Sequence, residues 1–516
     1  MKHIRAFWIA TTICSLVFVH PFTARADVKM PALFSDHMVL QRAMLVPVWG
    51  WADAGEIITV SIAGQSKSTQ TAADGTWSVK LDNLEVGGAF TMVVKGNNTL
   101  TIRDVLVGEV WLGSGQSNMA LTVNNSLDPS KESASANFPQ IRVFAVKRRE
   151  TVTPQKDCEG KWILCSPETA GGFSAAAYFF GRDLHQNLGV PVGLITAAVG
   201  ATPIEGWTSL SAQEGKKELK PVFRPWEKKL KVPYDDVAAQ AQYQTRMELW
   251  KQNSAARKSE GKAPGDPPEI PVHPREHKNY PANLFNGMIA PIIPYAIRGA
   301  IWYQGENNAH GEFSKLYATQ LPLLIQDWRQ RWGLGDFPFA WVQLPNYIKV
   351  KGGIGAETDW AFMRESMLRC LTTVPNSGMA VTIDIGDPSQ IHPKDKVPVG
   401  QRLALWARAS VYGEKIPFSG PLPAGFKISG NEMTLSFTHT DGGLVARGED
   451  LKGFVIAGAD QKWIPAEARI VGGRVVVSSP AVKSPVATRY AWADNPDCNL
   501  YNGAGLPASP FRTDTW

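Results

Sequence analysis

Between residues 105 and 410 the chain repeatedly presents short, predominantly apolar runs, each followed by a longer stretch with helical spacing. The runs are Asp104–Leu112, Val192–Ala198, Ile297–Tyr303, Phe339–Leu344 and Met379–Ile385. The helical stretches include Phe173–Gln186, Phe313–Arg331 and Val399–Tyr412. A strand that is largely apolar on both of its sides, rather than at alternate positions only, has to be covered on both faces. Strand then helix, repeated, supplies that cover and predicts a doubly wound α/β layer around a parallel sheet. Ligands of such sheets bind in the crevice at the carboxyl ends of the strands. The loops leaving those ends are therefore where chemistry is expected.

The flanks read differently. Residues 27–104 carry short alternating runs, among them Ile57–Ile62 and Phe90–Val94, separated by Ala54-Gly55, Asp74-Gly75, Gly87-Gly88 and Gly96-Asn97. This is the pattern of a small β domain packed on a neighbour. Residues 414–516 return to short strands turned by Gly442-Gly443 and Gly472-Gly473 and form a second β-rich region. Within the 105–413 core, residues 209–282 break the alternation with a Lys-rich segment. It contains a helix predicted over Asp235–Arg257 and the Pro-rich stretch Ala263–Pro268. An insertion of this length in an α/β core reads as a lid, a cleft wall or a solvated excursion.

Net charge invites a nucleic-acid reading, which the N-terminus removes. Residues 1–26 have the form of a secretory signal: Lys2 and Arg5, the apolar run Ala6–Val19, then the small-x-small site Ala24-Arg25-Ala26. Of the 53 Lys and Arg, three lie in that segment with no acid. The remaining 50 face 47 Asp and Glu, and the excess falls from +6 to +3. With no basic block elsewhere, nucleic acid is not expected as a partner. No further stretch reaches membrane-spanning length. A periplasmic or secreted protein, with no membrane attachment after cleavage, is expected. Export also makes Cys158, Cys165, Cys370 and Cys498 disulfide candidates, Cys158 with Cys165 first because they could close a short loop; buried free thiols are the alternative.

Three polar loops follow core strands. Gly113-Ser114-Gly115-Gln116-Ser117-Asn118-Met119 joins a buried strand to a turn, where glycines permit an exposed serine and free backbone N–H groups. Met119 stands where the α/β-hydrolase elbow would have glycine, and no Gly-Lys-Ser/Thr phosphate loop is present. Trp302–His310 brings Gln304, Glu306, Asn307, Asn308 and His310 to a second strand end. Asp384–Pro393 places His392 beside Asp384 and Asp387 at a third. Serine, acid and histidine collected from separate strand ends at one sheet edge suit acyl transfer through a nucleophilic serine. His310 is the competing base.

Taken together, Gly-Gln-Ser117-Asn-Met, Gly200-Ala201-Thr202-Pro203-Ile204-Glu205-Gly206-Trp207, Trp302–Asn308 and Asp384–Pro393 resemble the sequence blocks of the sialate O-acetylesterase-like branch of the SGNH (GDSL-type) hydrolases. So do the opening Met38–Arg42 and the closing Leu500–Asn502 and Pro510–Asp514. The resemblance implies a flavodoxin-like three-layer α/β/α core with flanking β domains. It implies release of acetyl groups from sugar hydroxyls without a metal or cofactor, with acetylated carbohydrate as the partner. It makes Ser117 the nucleophile and His392 the base, with an oxyanion hole of Ser117 N–H, Gly200 N–H and the Asn308 side chain. The sequence departs from the pattern twice. Ser389 occupies the usual Asp-x-x-His acid position, and Ala201 stands where a second glycine is common. Glu306 and Asp387 are then the candidates for orienting His392, with Asp384 third.

Gln116, Gln304, Trp207 and Trp302 are the expected substrate contacts, the two tryptophans (with Trp360) as stacking faces or as core. Plant cell-wall oligosaccharide or hemicellulose is the favoured substrate and a 9-O-acetylated sialic acid the alternative. Readings of another class are a non-catalytic carbohydrate-binding protein and an acetyltransferase sharing the same acyl-enzyme.

Overall fold

The computed structural model describes residues 27–261, 264–265, 267–348, 355–448 and 450–516. Residues 1–26, expected from the sequence to be an export signal, and Ala263 and Asp266 of the Pro-rich stretch lie outside the described residues.

The continuous apolar runs do form the central sheet. Its strands are β1 (Thr99–Gly115), β2 (Phe138–Ala145), β3 (Trp162–Cys165), β4 (Val192–Ala198), β5 (Gly299–Tyr303), β6 (Phe339–Val342) and β7 (Ser377–Ala380). They lie in the order β7-β6-β5-β1-β4-β2-β3. All neighbours are parallel except β3, which pairs antiparallel with β2. Without β2 and β3, the last two strands on one side of the sheet, the five strands expected from the sequence have the flavodoxin-like order, β1 flanked by β4 and β5. The chain reverses its direction of winding at β1, so the ligand crevice belongs between the carboxyl ends of β1, β4 and β5.

Helices cover both faces. On one, α1 (Ala175–Leu188) and α4 (Val397–Trp406) bury Ala177, Phe180 and Leu403 with Trp111, Ile301 and Ala340 of the sheet. On the other, α2 (Glu312–Trp332) and α3 (Asp359–Thr373) bury Leu324, Trp328 and Met367 with Leu112, Trp302 and Trp341. Successive strand residues point to opposite faces, so both sides of each strand need mostly apolar side chains, and the runs do not alternate for that reason.

β1 does not stop at the change of character near residue 104. It is one 17-residue strand. Its first half pairs with Gly87–Lys95 of the N-terminal β region and its second half with β4 and β5. At the transition Asp104 takes φ +54, a left-handed conformation that Asp tolerates better than most residues. Its carboxylate is held by Arg142 Nη1 (2.9 Å) and His37 Nδ1 (2.6 Å). A fully buried carboxylate secures the opening segment. Glu109 on β1 accepts from Arg42 Nε (2.5 Å), Arg298 Nε (2.8 Å) and Gln41 Nε2 (3.0 Å). Burial pushes its pKa upward, and these donors, Arg298 foremost, outweigh burial and leave it below the usual value.

Among the described residues the C-terminal region folds into two four-stranded sheets and the two-stranded pair Leu444–Ala446 with Leu500–Asn502. Buried Arg364 of α3 ties it to the α/β core, donating to Leu344 O, Pro345 O, Ala493 O and Asp494 O. In the insertion, Asp235 caps a helix over Asp236–Ser259 through Ala238 N (3.0 Å), and no residue of that helix is buried. The insertion leaves and rejoins the core at one loop: Gln213 Nε2 and Ala282 N both donate to Glu205 O, each at 2.9 Å.

The Cys158–Cys165 loop closure does not form. Among the described residues Cys158, Cys165, Cys370 and Cys498 are all free thiols. Cys158 packs on the face shared with the N-terminal region and Cys165 in the core under α1, so their side chains serve different cores. Burial pushes their thiol pKa values up to about 12 and about 11 respectively, which leaves little reactive thiolate.

Candidate active site

At the end of β1 the backbone comes very close to β5. Gly115 has φ +143, and a Cβ there would lie 2.1 Å from Tyr303 O. Only glycine fits. Gln116 N then donates to Tyr303 O (2.9 Å), and Ser117 opens a one-turn helix, Ser117–Ala120. Ser117 is half-buried between buried Gln116 and Asn118.

The loop after β4 lies against it: a Cβ built on Gly200 would be 3.5 Å from Ser117 Cβ. Ala201 next to it has φ +56, which explains why a glycine is comfortable at that position; alanine there carries a modest strain of about 1–2 kcal/mol.

Asn308 closes the short turn Glu306–Asn308 after β5. Its Oδ1 accepts from Gln304 Nε2 (2.7 Å) and Ile204 N (3.0 Å), and its Nδ2 donates to Glu205 Oε2 (3.0 Å). With both ends of the amide engaged, its orientation is fixed. Glu205 is buried and also accepts from Gln320 Nε2 (3.1 Å). Burial raises its pKa despite the hydrogen bonds.

The third loop is joined to the first through Asn118. Asn118 Nδ2 donates to Ile391 O (2.9 Å) and to Glu306 Oε1 (2.5 Å), while its Oδ1 accepts from Lys396 Nζ (2.8 Å). Lys396 Nζ also donates to Pro393 O (2.5 Å). His392, between Ile391 and Pro393, is exposed at the rim. Glu306 is buried, and its Oε2 has no hydrogen-bond partner among the described residues. Burial raises its pKa, opposed by the Asn118 hydrogen bond and the Lys396 charge. Among the described residues no group of three or more His, Cys, Asp or Glu is placed to hold a metal ion.

The remaining sequence candidates lie elsewhere. Asp387 Oδ1 is taken by Ser389 N (2.8 Å) and Ser389 Oγ (2.7 Å) of its own loop, which hold its carboxyl below the usual range. Asp384 is paired with Arg402 at 2.7 Å through both oxygens. His310 is exposed, its ring 4.8 Å from that of Phe313.

Trp207 and Trp302 are not stacking faces. Both are fully buried and meet edge-on at 6.2 Å. Their indole N–H groups are spent on Thr202 Oγ1 and Tyr317 OH. Trp360 is likewise buried, donating to Pro345 O. Gln304 is buried, bonded to Thr202 O and Asn308 at its amino end and to Tyr317 OH at its carbonyl end. Gln116 accepts from Asn307 N (3.2 Å) and ties the first loop to the second. The two glutamines therefore shape the site from beneath.

Asn118, Glu205 and Lys396 are the residues that reading the sequence for roles passed over. Asn118 and Glu205 stand inside the recognised blocks. Lys396 has no local signal beyond lying four residues after His392.

Comparison with known proteins shows the family. A family model described as carbohydrate esterase, sialic acid-specific acetylesterase, matches residues 107–254 and 277–407. The sialate O-acetylesterase of Rattus norvegicus is 32% identical over 547 residues, covering 94% of this chain and 94% of that protein. The Homo sapiens sialate O-acetylesterase is 31% identical over 528 residues, covering 94% and 92%. The crystal structure of a carbohydrate acetylesterase from Xanthomonas citri superposes with a TM-score of 0.80 at 37% identity, over 95% of this chain and 100% of that one.

Proposed function

Because the chain belongs to the carbohydrate esterase family of sialic acid-specific acetylesterases, and so is an ester hydrolase of acetylated carbohydrate, we propose that Ser117 is its nucleophile and His392 the base. The observation that carries this reading is the convergence of three strand-end loops: Gly200 against Ser117, and Asn118 bonded to the residue preceding His392. His392 takes the Ser117 proton as Oγ attacks the acetyl carbonyl. The developing oxyanion is received by Ser117 N–H, Gly200 N–H and Asn308 Nδ2. His392 returns the proton to the departing sugar oxygen, and water, deprotonated by the same histidine, releases acetate from the acetyl-enzyme.

For the substrate, Ser117 is half-buried and His392 exposed. Exposure of the base suits an acetyl group carried on an extended oligosaccharide, of the plant cell-wall type. A 9-O-acetylated sialic acid is the other reading, and both the description of the matching family and the names of the mammalian relatives favour it. Acetate release measured side by side on acetylated xylan, acetylated xyloglucan and 9-O-acetyl sialic acid separates them. The oligosaccharide reading expects at least about tenfold higher kcat/KM on a polysaccharide, a difference of about 1.4 kcal/mol; a preference for the sialic acid replaces it with the second. We further read residues 1–26 as an export signal on their composition. N-terminal sequencing of protein from an exporting host should begin at Asp27, and a retained Met1 would overturn that reading.

A further inference from the structure

Lys396 is fully buried and has no part in the acyl-transfer steps above. Its Nζ reaches Asn118 Oδ1 and Pro393 O, and Asn118 Nδ2 reaches Ile391 O and Glu306 Oε1. The carbonyls on either side of His392 are thus both held by one cluster. The centre of that cluster is the side chain next to Ser117. We propose that Lys396 is a positioning residue which, through Asn118, fixes the backbone of the base relative to the nucleophile. The proposal rests on the reading of Ser117 and His392 given above.

Burying an ammonium group is costly, and packing alone would be served by methionine or leucine. The groups facing Nζ are Glu306 from the second loop, Asp395 beside it in sequence, and the Tyr303 ring of β5, whose centroid is 5.4 Å away. Burial brings the lysine pKa down to about 7. A neutral amine still has two N–H donors, one for each acceptor, so the clamp operates in either protonation state. The lysine also fixes Asn118: an ammonium or amine donor on Oδ1 leaves only Nδ2 to face Glu306 and Ile391 O.

The test compares Lys396→Ala, Lys396→Met and Ser117→Ala with the wild type. Displacing the base by about 1 Å should lower kcat about 10²-fold while KM stays within about twofold, since ground-state binding is untouched. Capture of Ser117 by a serine-directed phosphonate should slow by the same factor. Ethyl- or propylammonium should restore phosphonate capture in Lys396→Ala, and tetramethylammonium at equal ionic strength should not. That readout forms no acetyl-enzyme for an added amine to intercept. Lys396→Met keeps the volume without the donors and should show the same kinetic loss if the alanine variant does not fold. Wild-type kcat in either variant overturns the proposal, as does a lowered Tm with unchanged kcat per folded molecule, or a failure of alkylammonium to restore capture. In those cases Ser117→Ala remains inactive. Wild-type turnover by Ser117→Ala would instead remove the nucleophile assignment itself.

Discussion

Ser117→Ala should lower acetate release by about 10⁴- to 10⁶-fold with the fold intact, as expected when a nucleophile acting as part of a unit is removed. The bonds that hold this loop belong to its neighbours, Gln116 N to Tyr303 O and Asn118 to Glu306 and Ile391 O. The substitution leaves all of them in place. An unchanged Tm alongside the kinetic loss would therefore separate lost chemistry from lost structure. Asn308→Ala provides the internal comparison. It removes one oxyanion donor, which costs about 10²–10³ in kcat, and it also strips buried Glu205 of a donor, so some loss of stability should accompany it. Wild-type-level turnover by Ser117→Ala would sink the assignment. So would the absence of any phosphonate adduct on Ser117 in the wild type, the result a non-catalytic sugar-binding protein would give.

The core was legible because burial on both faces leaves its mark at every position of a strand, as in Val192–Ala198 and Gly299–Tyr303. The two strands β2 and β3, at one side of the sheet, carry a weaker mark. Phe138–Ala145 contains Pro139 and Gln140, and Trp162–Cys165 is only four residues long. The change of composition near residue 104 records a change in what covers β1, since polar Thr101 and Arg103 give way to Val105–Leu112, and the strand itself runs through it unbroken. The last strand stops at Ala380, short of the apolar run, because Thr382 turns its hydroxyl onto Gln343 O and Asp384 is drawn to Arg402. At the site, the chemistry-bearing loops could be read because each leaves a strand end. Which aromatic faces are open could not: Trp207 and Trp302 cover each other across elements far apart in sequence. The Lys396–Asn118–Glu306 cluster joins three such loops and has no periodicity to betray it.

The orienting acid is where two candidates of equal standing in the sequence part company in three dimensions. Glu306→Gln should cost about 10²–10⁴ in kcat, the range for losing the partner of a catalytic histidine, while Asp387→Asn should change it by no more than about twofold. Asp387 spends its carboxylate on Ser389, in a turn that asparagine can reproduce. Glu306 is buried beneath the junction of the Ser117 and His392 loops. Its Oε1 is held by Asn118, and its Oε2 has no hydrogen-bond partner among the described residues. The pH profile supplies a second criterion. Burial raises the Glu306 pKa, so on acidification this carboxylate takes up its proton above the ordinary carboxylate range. Activity that needs it ionised is lost as pH falls through that raised value. Glu306→Gln should therefore delete a component of the acid limb of kcat/KM. Asp387, held below the usual range, contributes nothing there, and its variant should keep the wild-type limb. A large loss in Asp387→Asn beside a near-normal Glu306→Gln would reverse the assignment. It would also mean that the Asp387 loop abandons its Ser389 turn when substrate binds.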